Sequence, residues 1–471
     1  MEKAGPPSPD ATLRVPEPPA PRPTLKLFDF TMIVISLVIG MGIFRTPRNV
    51  AADAPSLWVF FAVWVAGGLV ALCGALTYAE IGSRLPVTGG YYKIFSYAYH
   101  PSIAFAINCV ILVSNAASVG GVALIGGEYI SAVLRPGTAP GDLSLRLLQL
   151  GIAIGAIILF YGVNLLGLKM SAKAQSVLMM TKIVLILLLI APLFFTAPAV
   201  AGPVSAAVAD PTFSQYLLAF GSGLVAVSFT YGGYQQTINF GGEVREPGRN
   251  LPRGIFLGIF VIIALYLTIN YAYVHVIGFD NLKTADNIAA LMAGQVFGAR
   301  AGQVLSVFLF LGVLGYVNVL LLSNPRVMYA MSTDGILPPA FRWRHPRTGV
   351  LVLPLTIFAA LCAGIIFWAE EFDRILSFSI FLDSFGMVLS AGSIFTLRKR
   401  TRHLDGTGIF KMRLYPIQPI VFIAAYLLVA VSLFVQKRNE SLLGLGVLSA
   451  FIIVYFVFFR KARPAEEDLK R

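Results

Sequence analysis

Apolar residues recur along this chain in runs of span length, separated by short polar segments. We count twelve runs, over residues 27–53, 57–80, 98–132, 146–165, 169–195, 214–242, 252–277, 302–330, 350–369, 373–397, 414–436 and 441–460. As helices, runs of about 20 residues cross the bilayer core. Short alternating segments, which are typical of membrane β-barrels, do not recur. The pattern predicts an all-α polytopic membrane protein with twelve transmembrane helices.

Pairs of glycines interrupt two of these runs. The first run contains Gly40 and Gly42 in IGMGIF, and the sixth contains Gly232 and Gly233 in TYGGYQQT. Glycine disfavours the helix, and a helix that breaks in hydrocarbon exposes unpaired backbone groups. Such breaks persist where the freed groups face protein, water or a ligand. The alternative is that the glycines only allow close packing between helices.

The two breaks occupy corresponding positions, five runs apart. An odd number of spans in each half places the two halves in opposite orientations, and paired breaks of this kind indicate the binding site of an inverted-repeat transporter. We therefore predict a 5+5 inverted repeat with discontinuous helices 1 and 6. Residues 26–196 form the first repeat, 213–397 the second, and 414–460 the last two spans.

The charge distribution predicts the topology. Of the 36 Lys and Arg residues, 26 fall on the side of the N-terminus when alternate loops are assigned to opposite sides. By the positive-inside rule, both termini lie in the cytosol and the protein spans the cytoplasmic membrane. Residues 1–25, rich in proline, and 461–471 are predicted to be cytosolic tails. The net charge of +13 therefore reflects topology and not nucleic-acid binding.

Other function classes lack their motifs. The four histidines fall at span ends or in loops, and no GxSxG, HExxH or CxxC motif indicates a membrane enzyme. A channel filter and a phosphate-binding loop for a primary pump are also missing. The three cysteines, Cys73, Cys109 and Cys362, lie within predicted spans and imply no disulfide. We predict no metal and no cofactor.

Five segments carry a resemblance to a known family. They are GMGIF (40–44), YAEIGSRLPVTGGYY (78–92), the lysine at 182, FTYGGYQQTINFGGEVREPGRNLP (229–252) and NPRVMYAMSTDGILPP (324–339). With these the chain resembles the amino acid–polyamine–organocation transporter superfamily, particularly its L-type amino acid transporter branch, over about residues 26–460. One departure is Met41, where the family motif usually has serine, so a hydroxyl contact to substrate is lost there.

The first break suits the carboxylate of an amino acid. The half-helix that starts at Gly42 presents free N–H groups and the positive end of its dipole. The amides of Met41, Gly42 and Ile43 are the expected carboxylate cradle, and glycine allows close approach. The resemblance implies the same positions for the carboxylate. Gly40 and Gly232, at the two breaks, are also predicted substrate-binding residues.

The ends of the preceding half-helices suit the ammonium group. The carbonyls of Val38 in span 1, and of Ser228 and Tyr231 in span 6, are expected to accept its protons. These contacts bind the carboxylate and ammonium groups that all amino acids share. Selectivity must therefore come from side chains elsewhere in the site.

Four further residues are candidates for that side-chain pocket. Tyr234 falls where relatives place a gating or pocket-lining residue, and Asn115 and Ser118 share one face of span 3. Asn318 lies in the middle of span 8. Each polar residue could instead join helices by hydrogen bonds. No acid is evident at the breaks, which favours neutral substrates over cations and polyamines.

Two ionisable residues lie deep in predicted spans, where such residues are usually functional. Lys182 is three to four turns from the cytosolic end of span 5, and snorkelling to that face is the alternative. The resemblance implies that its ammonium group fills a sodium position and holds carbonyls of spans 1 and 8. That implies sodium independence.

Asp383 lies about ten residues into span 10, between Ser379 and Ser384. Desolvation disfavours its charged form, so its protonation could change during transport. Alternatively it stays protonated and hydrogen-bonded to the neighbouring serines. Three further acids, Glu80, Glu128 and Glu243, lie near span ends. We interpret them as residues of gates or loops that pair with nearby arginines and backbone groups.

The sequence therefore predicts a secondary active amino acid transporter that works by alternating access. Sodium-independent exchange of neutral amino acids is the leading interpretation, and a proton-coupled amino acid or polyamine permease is the alternative. Eukaryotic members of the resembling branch attach a heavy subunit through a cysteine between spans 3 and 4. The loop RPGTAPGDLS (135–144) has none, so we expect no such subunit and a monomer or homodimer.

Overall fold

A computed structural model describes residues 23–40, 42–137, 142–198, 212–285, 287–367, 372–405 and 408–459, without the side chains of residues 299 and 372–379. Met41 and most of the two predicted tails lie outside these ranges. Within them the chain is helical and contains no strand; its β-type pairs are two isolated bridges, Leu25 with Val244 and Thr88 with Phe240.

Sixteen α-helices follow one another in the described residues. They are α1 Leu27–Val38, α2 Gly42–Asp53, α3 Leu57–Arg84, α4 Gly90–Ala98, α5 Pro101–Leu134, α6 Leu143–Leu165, α7 Leu168–Ile190, α8 Phe213–Tyr231, α9 Pro247–Ile277, α10 Phe279–Thr284, α11 Ile288–Phe297, α12 Ala299–Thr333, α13 Val352–Ile366, α14 Phe372–Arg400, α15 Ile417–Gln436 and α16 Arg438–Val454. A 3₁₀ helix over Tyr234–Asn239 follows α8.

Eleven of the membrane spans have the length and apolarity to cross a bilayer, counting the α1–α2 pair as one and α8 with its 3₁₀ helix as another. The ninth predicted span, 350–369, corresponds to α13, whose fifteen described residues are apolar but shorter than a full span. The short apolar helix α11 also lies between α9 and α12. The structure is that of a multi-pass helical membrane protein, as the apolar pattern predicts.

The first interrupted helix and the C-terminal end of α8 lie in the interior of the bundle. Nine of the twelve residues of α1 are buried, and α1 packs against α7, α9 and α12. α2 packs against α8. Glycines permit these contacts: a Cβ on Gly258 of α9 would lie 2.6 Å from the Val34 side chain. Helices α3, α5 and α14 surround this centre, so the breaks at residues 39–40 and 232–233 are enclosed by protein.

The ends of the helices on the side where α1 begins, which we call the inner side, are tied by buried ion pairs. Glu80 of α3 is fully buried and accepts from Arg84 at 2.9 Å, from Arg398 at 2.8 and 2.6 Å, and from the Met412 amide at 2.9 Å. Glu243 accepts from Arg326 of α12 at 2.9 and 2.8 Å. The prediction that these two acids pair with Arg and backbone is confirmed.

Candidate functional site

A cavity of about 140 Å³ lies where the two broken helices meet. Its walls come from α1, α2, α5, α8, α12, α14 and α15 and from the segment that follows α8. The lining residues are Leu37, Val38, Gly40, Gly42, Arg45, Thr46, Asn49, Asn115, Ser118, Val122, Ile125, Ser228, Phe229, Thr230, Gly232, Gly233, Gln235, Gln236, Tyr316, Leu320, Ile380, Asp383, Met387 and Tyr426.

The first break exposes backbone groups of both signs to this cavity. α1 ends at Val38, whose carbonyl accepts from the Gly40 amide at 2.7 Å, and α2 begins at Gly42. The first amides of a helix have no acceptor within the helix and carry the positive end of its dipole. A Cβ on Gly42 would lie 2.9 Å from the Thr230 hydroxyl oxygen. Glycine is therefore required here to keep the cavity wall and α8 in contact.

The second break uses glycine for a different reason. α8 ends at Tyr231, and Gly233 has φ +111°, a conformation that side chains with a Cβ rarely adopt. A Cβ on Gly233 would lie 2.1 Å from the Leu37 carbonyl oxygen of α1. The two breaks therefore touch through their backbones, which brings the ends of α1 and α8 into one site.

Tyr266 of α9 joins the two breaks from behind. Its hydroxyl lies 3.3 Å from the Val38 carbonyl and 3.3 Å from the Thr230 carbonyl, and its ring is fully buried. The sequence analysis missed this residue, because one tyrosine within an apolar run carries no local signal. The Val38 carbonyl already accepts from the Gly40 amide and shares the single Tyr266 hydroxyl proton with the Thr230 carbonyl, so its capacity for a substrate ammonium group is partly used.

Lys182 of α7 points at the first break and does not snorkel. Its side chain is 2% exposed, and its ammonium group donates to the Ile39 carbonyl, one residue beyond α1. Gly312 and Gly315 of α12 lie beside it. An ideal Cβ on Gly312 would lie 3.2 Å from the Lys182 Cε, and one on Gly315 would lie 3.9 Å from the Lys182 Nζ. The Gly315 carbonyl accepts from Gln175 instead, at 2.9 Å. Lys182 thus holds the span-1 break and packs against span 8.

Seven of the twelve predicted substrate-binding residues line the cavity: Val38, Gly40, Gly42, Asn115, Ser118, Ser228 and Gly232. Asn115 is also part of a buried chain of amides. It donates to Asn324 at 2.7 Å and accepts from Gln236 at 3.1 Å, so it links α5 to α12 and to the segment after α8.

Four predicted residues do not line this cavity, and Met41 lies outside the described residues. Ile43 is fully buried, Tyr231 packs against Trp64 and Tyr266, and Tyr234 packs edge-on against Tyr78 of α3. Asn318 accepts from Asn164 at 2.8 Å and donates to Gln175 at 2.5 Å. These are contacts between spans 8, 4 and 5, so the helix–helix role that the sequence left open describes Asn318.

Asp383 lines the cavity, so the expectation that no acid stands at the breaks is wrong. The reason is that α14 packs against α5 and presents its carboxyl to the same space. Its predicted serine partner Ser384 instead donates to the Ile380 carbonyl at 2.8 Å, and the Ser379 side chain is not among those described. Ser114 of α5 lies near Asp383, and its buried hydroxyl makes no hydrogen bond among the described residues.

The cavity contains several polar residues that sequence reasoning missed. Arg45 and Asn49 are one turn apart on α2, and Tyr316 of α12 faces Ser118 across the cavity. The spacing of four residues between Arg45 and Asn49 was a readable signal, because it places both on one helix face. Arg45 also lies near Glu128, which is exposed at the far end of α5.

Comparison with known proteins identifies relatives over nearly the whole length. A sequence profile of the amino acid permease family matches residues 25–459. The serine/threonine exchanger SteT of Bacillus subtilis is 28% identical over 443 residues, covering 91% of this chain and 95% of SteT. The branched-chain amino acid permease BcaP of the same organism is 26% identical, covering 93% of each chain.

A mammalian relative is similar to a comparable degree. The large neutral amino acids transporter small subunit 2 of Oryctolagus cuniculus is 25% identical over 436 residues, which cover 90% of this chain and 78% of that protein. These three relatives are amino acid exchangers, permeases or transporters by name, and each matches at least 90% of this chain.

Proposed function

The chain belongs to the amino acid permease family, and from this premise we propose that it carries amino acids by sodium-independent exchange through alternating access. The observation that carries the proposal is the cavity at the two helix breaks. It offers free amides at the start of α2, carbonyls at the ends of α1 and α8, and polar side chains from α5 and α12. An amino acid has the complementary carboxylate and ammonium groups.

In this proposal the carboxylate lies against the amide of Gly42, which lines the cavity at the positive end of the α2 dipole. The ammonium group faces the carbonyls at the ends of α1 and α8. The cavity volume is about 140 Å³, and a cavity of about 150 Å³ holds a molecule of the size of benzene. Because the cavity must also hold the carboxylate and ammonium groups, its volume favours an amino acid with a small side chain. Of the relatives, the serine/threonine exchanger is named for substrates of this size.

Sodium independence rests on Lys182. Its ammonium group donates to the Ile39 carbonyl at the break, the kind of backbone group that binds coupling ions at broken helices. An ammonium group there repels a sodium ion and satisfies the carbonyl without one.

The remaining features of the architecture are proposed from the resemblance to the same family. We propose twelve spans with both termini in the cytosol; the first ten form two inverted repeats of five, and α13 is the ninth span. The ion pairs of Glu80 and Glu243 then close the cytosolic side of the bundle. The pathway from the cavity to the outside runs between α2 and α5. We further propose that the chain works without a disulfide-linked heavy subunit, as a monomer or homodimer.

Uptake into liposomes tests the exchange proposal. We expect labelled amino acid to enter liposomes that contain the purified chain when they are preloaded with unlabelled amino acid, at equal rates in sodium and in potassium buffers. Empty liposomes are the control and should take up little. Equal uptake into empty liposomes would exclude obligatory exchange, and stimulation by an inward sodium gradient would exclude the role given to Lys182.

Asp383 supports a second candidate function, proton-coupled uptake, because a carboxyl group that lines the cavity is placed to exchange a proton along with the substrate. Asp383→Asn distinguishes the two. On the exchange proposal, an imposed pH gradient drives no net uptake in either protein, and Asp383→Asn continues to exchange. Net uptake that follows the pH gradient in the wild type and is lost in Asp383→Asn, with exchange intact, would establish proton coupling instead.

A further inference from the structure

A second and larger cavity, of about 700 Å³, opens on the inner side of the bundle and shares no lining residue with the first. We call it the basic cavity. It lies between the α6–α7 turn, the inner half of α12 and the segment that leads to α13. Its lining includes Lys169, Glu243, Arg326, Arg344, His345 and Arg347.

Positive charge is in excess here. Four of the lining residues are permanent cations and one is a carboxylate, Glu243. That carboxylate is already engaged, because Arg326 donates to it at 2.9 and 2.8 Å. Within the described residues, three cations of the basic cavity therefore have no carboxylate of the lining to neutralise them.

Arg344 shows the clearest deficit. Its Nε and one terminal nitrogen are buried and find no acceptor among the described residues. The other terminal nitrogen makes one long bond, 3.4 Å, to the Gly349 carbonyl, and the guanidinium lies 4.6 Å from the centre of the Tyr329 ring. A buried charged donor without an acceptor is costly. The positive-inside rule explains why arginines occur on this side, but exposed arginines would satisfy it equally well.

Two helices also begin at this cavity. Gly167 precedes α7 and Leu351 precedes α13, and both residues line it. The free amides and positive dipole ends of both helices add to the field of the arginines. The fork of a guanidinium matches the oxygens of a phosphate.

From the unpaired Arg344 nitrogens, the excess of cations and the two helix starts, we propose that the basic cavity binds a phosphate group. Inorganic phosphate and the headgroup of an anionic phospholipid both supply this chemistry. The bound group accepts from Arg344 and Lys169 and ties the α6–α7 turn to the segment between α12 and α13.

Thermal unfolding of the purified full chain in detergent tests the proposal. Inorganic phosphate is titrated against chloride at equal ionic strength, and phosphatidylglycerol in mixed micelles against phosphatidylcholine. We expect a rise in Tm with phosphate if the ligand is soluble, and with phosphatidylglycerol alone if it is a lipid headgroup. Arg344→Gln should weaken the apparent affinity about tenfold, because it removes a charged hydrogen-bond donor.

Arg342→Gln is the matched control, since Arg342 lies two residues away and does not line the cavity; it should respond as the wild type does. If Arg344→Gln does not fold, Lys169→Gln, at an exposed position of the same cavity, replaces it and should also weaken the response. A Tm that neither phosphate nor phosphatidylglycerol raises would overturn the proposal. So would equal responses in the wild type, the cavity variant and the control.

Discussion

Gly42→Val is expected to remove amino acid binding and transport while the protein still inserts into the membrane. Gly42 is the first residue of α2 and lines the cavity. A Cβ there would lie 2.9 Å from the Thr230 hydroxyl oxygen and 3.2 Å from its Cα, and valine adds two methyl groups to it. Overpacking of this kind costs about 1–3 kcal/mol, which corresponds to a loss of about 5- to 150-fold in affinity.

Binding to the purified protein measures the effect of Gly42→Val, with Gly155→Val of α6 as the matched control. A Cβ on Gly155 meets nothing within 4 Å among the described residues, so the control should bind as the wild type does. Because both substitutions place valine in a membrane helix, their difference reports the cavity and not helix propensity. Near wild-type affinity of Gly42→Val would exclude the amides of α2 as the carboxylate site.

Lys182→Met is expected to stop transport. The substitution keeps the length of the side chain but removes the ammonium group that donates to the Ile39 carbonyl. That carbonyl is then left without its buried donor, at a cost of about 1–3 kcal/mol. Because Ile39 connects α1 to the first break, the loss changes the position of the Val38 and Gly42 backbone, and we expect transport to fall at least about tenfold.

Lys173→Met provides the control for Lys182→Met. Lys173 is on the same helix, α7, but its side chain is exposed, so transport by this variant should equal that of the wild type. Uptake is measured in the same preloaded liposomes. Undiminished uptake by Lys182→Met would show that the lysine is dispensable at the break, and would remove the reason for sodium independence.

The breaks themselves were predictable from the sequence because they depend on glycine. No other residue allows φ +111° at Gly233 or the 2.9 Å approach of Thr230 to a Cβ at Gly42 without strain. The depth of Lys182 was predictable as well, since thirteen residues of helix separate it from Lys169. These features are local, or depend only on distance along one helix.

The lining of the cavity was less predictable, because it depends on how each helix is rotated about its axis. Asp383 was known to be deep, but which neighbour it faced was decided by the packing of α14 on α5. Tyr234 was expected at the substrate, yet the 3₁₀ turn after Gly233 directs its ring to Tyr78. Tyr266 depends on contacts from two helices distant in sequence, and no local pattern indicates them.

The central claim is that the amides at the start of α2 hold the carboxylate of an amino acid. Binding of a transported amino acid and of its methyl ester to the purified wild-type chain tests it most directly. The ester keeps the ammonium group and the side chain and lacks the negative charge. We predict at least about tenfold weaker binding of the ester, because a charged hydrogen bond contributes about 1.5–3 kcal/mol. Equal affinity for the two compounds would contradict the claim.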